Sequence, residues 1–173
     1  MDNDLQKPLR PQPLLQALDR HGVDFVIVGG IAGVAHGSSY PTYDLDVAYS
    51  RDSSNLVRLV DALQEIGVTL RGAPADLPFQ LDAATLANGA NFTFDTEFGS
   101  FDILGDAAGI KGYDELRRDA MVEEVFGIEV KVASLDHLIA MKRAANRPKD
   151  QLMVLEYVVL ADEIRRREAE EEG

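Results

Sequence analysis

The chain reads as an α/β (α+β) protein, and two observations predict this class. Short apolar, β-branched runs that suit buried strands, such as Asp24-Phe25-Val26-Ile27-Val28, alternate with segments whose apolar residues recur every three or four positions. Glycine, proline and serine punctuate nearly every junction between them, as expected where strands and helices follow one another around a single sheet. At 173 residues the chain is long enough for one domain with a substantial core.

The elements follow in order. Leu14, Leu15 and Leu18 predict a first helix over 13–22, closed by Gly22. A strand over 24–28 stops at Gly29-Gly30, a short helix fits 31–36, and a second strand fits 44–49. Ser53 or Ser54 can cap a helix to Ile66, with Leu56, Leu59, Val60 and Leu63 on its apolar face and Gly67 as its stop. Gly72, Pro74 and Pro78 mark 71–80 as a loop, followed by a short helix over 82–86. Residues 91–95 and 100–104 predict a hairpin turning around Glu97-Phe98-Gly99. A short helix over 113–118 precedes strands over 122–126 and 129–132, with Gly127 at their turn. Ser134 caps a helix over 135–146, and Pro148 opens a last helix. Its tail, Arg165 to Glu172, is low in complexity and predicts a solvated, fraying end.

Composition excludes several classes. No cysteine is present, so disulfides and thiolate zinc sites are ruled out. No run of eighteen apolar residues occurs, and Met1-Asp2-Asn3-Asp4 is polar and acidic, so no membrane partner and a cytoplasmic location are expected. Seventeen basic against thirty acidic residues give a net charge of −13. That argues against a broad nucleic-acid-binding face, which draws its affinity from Lys and Arg. A small basic pocket for a nucleoside triphosphate, contact with an RNA end, and a basic partner protein all remain compatible with it.

The chemistry concentrates at Asp44-Leu45-Asp46. Side chains two apart leave the same face of a strand, about 6.6 Å apart along it, while Leu45 and Val47 face the other way. Two adjacent carboxylates repel unless a cation lies between them, the arrangement that holds Mg²⁺. A third carboxylate from a neighbouring strand would complete such a site. Asp102, an acid in the otherwise apolar Phe101-Asp102-Ile103-Leu104, is the best candidate; Asp95 and Asp106, near strand ends, are weaker ones. Gly29-Gly30 lets backbone N–H groups approach a phosphate at a helix start. Ser38, Ser39 and Thr42 lie in the following loop, where a hydroxyl either binds phosphate oxygens or satisfies turn backbone. Lys142 extends the apolar stripe Leu135, Leu138 and Ile139, so its ammonium either snorkels to water or is aimed at something negative such as a triphosphate. Arg147, Lys149 and Asp150 extend the same polar cluster as a helix junction. The histidines His21, His36 and His137 show no mutual metal-ligand spacing, and His36 is a minor site candidate.

Taken together, Gly29-Gly30, Gly37, Thr42-Tyr43-Asp44-Leu45-Asp46 and Phe101-Asp102-Ile103 resemble the minimal nucleotidyltransferase domain of the DNA polymerase β-like superfamily. The stretch from Ser134 to Asp150 is similar to the C-terminal helices of stand-alone bacterial members, some of them toxins of abortive-infection or toxin–antitoxin systems. The resemblance spans roughly residues 14–160. It implies a mixed sheet of about four to six strands flanked by helices, a catalytic core over 1–133, and C-terminal helices over 134–173 packed on that core in the same domain. It further implies Asp44 and Asp46 as ligands of two Mg²⁺ ions (Mn²⁺ as substitute), Asp102 as the base-like third carboxylate, and Gly29-Gly30 as the triphosphate-binding turn. Relatives commonly carry an arginine two residues before the threonine; this chain has Tyr40, so Lys142 or Arg143 substitutes for that cation or activity is reduced.

The leading expectation is therefore an Mg²⁺-dependent enzyme moving a nucleoside monophosphate from an NTP, such as ATP, to a hydroxyl. The acceptor is an RNA or tRNA end, a protein, or a small molecule such as an aminoglycoside. The competing reading is a weak or inactive module of the same fold that serves as a toxin–antitoxin partner or regulator. A metal-dependent phosphohydrolase would use similar acids but lacks the His-rich ligand set here.

Overall fold

The computed structural model describes residues 6–173; the acidic Met1 to Asp4 segment lies outside them. The elements run α1 (Pro11–Arg20), β1 (Phe25–Val28), α2 (Gly29–Ala35), β2 (Asp44–Tyr49), α3 (Ser53–Ile66), β3 (Thr69–Leu70), α4 (Ala83–Asn88), β4 (Asn91–Thr96), β5 (Gly99–Leu104), α5 (Tyr113–Arg118), β6 (Met121–Val125), β7 (Ile128–Val132), α6 (Leu135–Ala145) and α7 (Pro148–Glu171). The strands form one seven-stranded sheet in the order β3-β4-β5-β2-β1-β7-β6. It is mixed: β2 runs parallel to β5 and β1 to β7, while the remaining neighbours are antiparallel.

Seven strands exceed the expected four to six. The additional one is β3, two residues long, which is too short for its alternation to register in sequence. It pairs antiparallel with β4, and the Arg71 N–H continues the ladder to Thr93 O at 2.9 Å, so the segment expected to be loop from residue 71 begins in the sheet.

Helix starts also shifted for local reasons. Pro11 opens α1 two residues early because proline suits a first turn whose N–H groups have no partner. Asp52 rather than a serine precedes α3, without a side-chain cap. Gly67 ends α3 as expected, with φ +76° and its N–H returned to Leu63 and Gln64 carbonyls. Gly29 and Gly30 do not merely precede α2 but form its first turn. Between β6 and β7, Phe126 (φ 51°) and Gly127 (φ 76°) make a two-residue turn whose left-handed conformations match the twist of the hairpin. Ser134 caps α6 as expected, accepting the His137 N–H at 3.2 Å.

Alternation separates the two faces of the central strands. Leu45, Val47, Phe101 and Ile103 are fully buried and join Leu14, Leu18, Leu59 and Leu63 in the core. The intervening Asp44, Asp46, Ser100 and Asp102 face the other side and are only partly buried. Helices α6 and α7 pack on each other, and α6 touches α2. Gly33 sets the approach of α7: a Cβ there would run into the Tyr157 hydroxyl. The charged end of α7, from Glu163 to Glu171, is helical and exposed. Among the described residues no helix is long and apolar enough to cross a membrane.

Candidate active site

Pairing register places the acids side by side. Asp46 sits opposite Asp102 across the parallel β2–β5 pair, Asp102 opposite Thr93 on β4, and Val28 opposite Asp46 on β1. Residues directly opposite in a sheet point to the same face about 4.8 Å apart, so Asp46 and Asp102 are neighbours by construction. The adjoining row holds Asp44, Ser100 and Asp95. The three acids expected from sequence to share a site, Asp44, Asp46 and Asp102, thus share one face of two adjacent strands. Of the weaker candidates, Asp95 lies on that face one strand further out, and exposed Asp106 lies past the end of β5.

The acids are electrostatically strained. Burial, then the charges of Asp102 and Asp44, push the Asp46 carboxyl from its ordinary 3.8 to about 7. Lys142 offsets only part of this. Burial also raises Asp102, although hydrogen bonding and charge from Arg71 hold it back. Arg71 Nη2 donates to Asp102 Oδ1 at 2.7 Å and to Phe94 O at 2.8 Å, and its Nε donates to Asp95 Oδ1 at 3.1 Å. Gln6 Nε2 lies 3.4 Å from Asp44 Oδ1. Among the described residues no three His, Asp or Glu side chains are assembled as a ready cage for an ion. The donors themselves are all hard carboxylate oxygens, and the excess negative charge suits Mg²⁺ rather than a softer metal.

Gly29 shapes the space beside Asp46. Its φ is +66°, and a Cβ there would collide with Asp46 Oδ2, so this position needs glycine on both conformational and steric grounds. A Cβ on Gly30 would lie 2.6 Å from Thr42 Oγ1, which packs Thr42 against the glycine turn. The Thr42 hydroxyl donates to Asp44 O at 3.1 Å, and Ser38 Oγ accepts the Tyr40 N–H at 3.2 Å. In this conformation both hydroxyls serve loop backbone, whereas Ser39 is tied to α7: its N–H donates to Glu156 Oε1 at 2.8 Å and its hydroxyl to Glu156 Oε2 at 3.5 Å.

A cavity of about 310 Å³ opens over the acids between the sheet and α6. Gly29, Asp46 and Asp102 form its floor; Leu138, Met141, Lys142 and Arg147 come from the C-terminal helices and their junction, and Phe92 and Leu104 from the hairpin. Lys142 is neither splayed into water nor unpartnered. Its side chain is only 17% exposed, and its ammonium donates to Asp150 at 3.2 Å. Asp150, which is 0% exposed, also accepts from the Arg147 backbone N–H at 3.2 Å and from its Nε at 2.7 Å. Lys149 and Arg143 are exposed and do not line this cavity. His36 Nε2 bonds Ala133 O at 2.8 Å, and His21 and His137 pair with Glu65 and Glu115, so the histidines stay outside the site.

Sequence reasoning missed Arg71 altogether. The two-residue strand that carries it to the sheet is too short to leave a periodic signal, and only the Gly67 stop before it marks the end of α3.

No protein-family model matches the sequence, and no curated protein matches it. Solved structures do match it in shape. A lincosamide antibiotic adenylyltransferase, LnuA, in its lincomycin-bound form is 13% identical and superimposes with a TM-score of 0.57, covering 88% of this chain and 99% of that one. A candidate nucleotidyltransferase from Thermotoga maritima is 15% identical, with a TM-score of 0.50 over 94% and 96% of the two chains. The antibiotic-resistance factor ANT(2'')-Ia is 16% identical, with a TM-score of 0.50 over 92% and 91%. Over nearly its whole length, this chain has the fold of those nucleotidyltransferases.

Proposed function

We propose that the protein is an Mg²⁺-dependent nucleotidyltransferase that moves a nucleoside monophosphate from an NTP to the hydroxyl of a small molecule. One observation carries this reading. Asp46 and Asp102, adjacent across a parallel pair with Asp44 in the next row, repel one another beneath a cavity that also presents Gly29, Lys142 and Arg147. Acids so placed are destabilising without a cation, and the cations above them suit a triphosphate.

In this reading Asp44, Asp46 and Asp102 hold Mg²⁺, with Mn²⁺ as a substitute. The bound metal supplies charge neutralisation on the phosphates and a lowered pKa for the attacking hydroxyl. Asp102 accepts that hydroxyl proton. The Gly29-Gly30 turn gives the triphosphate room beside the backbone, with the Thr42 and Ser38 hydroxyls within the supporting loop. Lys142 and Arg147, oriented by buried Asp150, meet the phosphate oxygens and take the place of the arginine that Tyr40 replaces. Residues 1–133 form the catalytic core, and 134–173 close the nucleotide side of it.

The small-molecule acceptor draws on two supports. LnuA and ANT(2'')-Ia, which share this fold, are an antibiotic adenylyltransferase and an antibiotic-resistance factor. A net charge of −13 disfavours RNA and favours a cationic acceptor. The second reading, a protein-pairing component such as a toxin or antitoxin, draws on Leu152, Leu155 and Val159, exposed along α7. Incubation with each α-labelled NTP, Mg²⁺ and a panel of hydroxylated small molecules, total RNA or cell extract tests both. Label on a small molecule supports the reading; label on RNA or protein changes the acceptor; no transfer leaves the pairing role.

A further inference from the structure

Arg71 reaches the acid-bearing face of the sheet from its edge. Its N–H bonds Thr93, and Thr93 is opposite Asp102, so Arg71, Thr93, Asp102 and Asp46 form a single row across four strands. Two strand spacings, about 9.6 Å, separate Arg71 from Asp102, a gap that an extended arginine spans. The guanidinium closes it at 2.7 Å, held in plane by Asp95 and Phe94 O. It therefore takes up an oxygen of the acid that the proposed reaction needs as a ligand and proton acceptor. Asp102 is 19% exposed and Arg71 33%, so the pair is shielded enough to matter and open enough to break.

We propose that Arg71 is a displaceable counter-ion of the metal site: it holds Asp102 in place before metal arrives and yields Asp102 Oδ1 when the ion binds. The inference rests on the reading of Asp44, Asp46 and Asp102 as metal ligands. Arg71 is a positioning residue. One carboxylate oxygen cannot be fully shared by a guanidinium and a divalent ion, so the arginine competes with the metal. Its release leaves the guanidinium, still tethered to Asp95, beside the site to meet a negative oxygen of the substrate.

The test is titration calorimetry with Mn²⁺ alone on the wild type, Arg71→Met and Arg71→Lys. Removing the competitor should tighten Mn²⁺ binding by at least about fivefold in Arg71→Met, with Arg71→Lys between it and the wild type. A merely structural arginine would lower the melting temperature of the variants and leave Mn²⁺ affinity unchanged or weaker, and that result overturns the proposal. Should Arg71→Met fail to fold, the Arg71 Nε–H resonance of the wild type, assigned by its loss in Arg71→Lys, decides the matter. It should shift saturably with Mg²⁺, and a resonance indifferent to Mg²⁺ refutes displacement. Failure of the functional reading is distinct: no label transfer to any acceptor while the metal effects persist. Transfer by a protein whose metal affinity ignores Arg71 refutes the counter-ion alone.

Discussion

Replacing Asp46 with asparagine should stabilise the metal-free protein at neutral pH, and the size of the gain follows from the site. Burial and the neighbouring acids raise the Asp46 carboxyl from 3.8 to about 7. Between those values the folded protein binds a proton that the unfolded chain has released, so wild-type stability falls as pH rises through that window and levels off above it. Three units at about 1.36 kcal/mol each give a cost of roughly 4 kcal/mol at pH 8. Asp46→Asn removes it while keeping the shape, and its amide can donate to Asp102. Burying the amide beside imperfect partners takes back about 1–2 kcal/mol, leaving a net gain of about 2 kcal/mol. Urea unfolding in EDTA at about pH 4.5 and pH 8 measures this. The stability of the variant relative to wild type should rise by roughly 2–4 kcal/mol between the two pH values, and saturating Mg²⁺ should restore the wild type but not the variant. A difference that is flat with pH would mean that Asp46 is already neutralised by a structural partner, and the metal site would be wrongly placed.

The other predictions concern ligands and the α6–α7 junction. Mg²⁺ or Mn²⁺ with an NTP should raise the melting temperature in a concentration-dependent way, and Asp44→Ala should abolish both that shift and label transfer while the protein stays folded; differential scanning fluorimetry reads the first. Lys142→Met should cost about 1–2 kcal/mol, because Asp150 keeps Arg147 but loses one donor, and should weaken triphosphate binding at least about tenfold, with exposed Lys149→Met as the silent control. Full nucleotide affinity in Lys142→Met would confine the lysine to its ion pair. Asp150→Ala strands the Lys142 ammonium and should cost about 3 kcal/mol near neutral pH. Burial works to raise the Asp150 carboxyl, but hydrogen bonds from Arg147 and Lys142 hold it below its ordinary 3.8. Its contribution is therefore complete above that value and is lost as pH falls through the lower folded one, so wild type and Asp150→Asn should converge in acid denaturation.

Much of the candidate site was legible because it obeys local rules. Asp44 and Asp46 share a face by the two-residue period of a strand, and Asp102 stands out as an acid between buried Phe101 and Ile103. Gly29-Gly30 announced a tight turn, although its need for glycine, the close approach of Asp46 Oδ2, is a contact between the start of α2 and β2 that no local pattern contains. The fold class, the hairpin and both C-terminal helices followed from periodicity and caps. Partner identity did not. Asp46 meets Asp102, 56 positions later, only because β5 lies parallel beside β2, and Arg71 joins them only because a two-residue strand docks outside β4. Lys142 posed a choice that its own helix could not decide. The answer, Asp150 with no exposed surface, depends on how α7 folds back against α6. Periodicity determines which way a side chain leaves its own element. Sheet order and helix docking determine what it meets, because those are fixed by burying apolar faces distant in sequence, and charged neighbours are carried together by that packing.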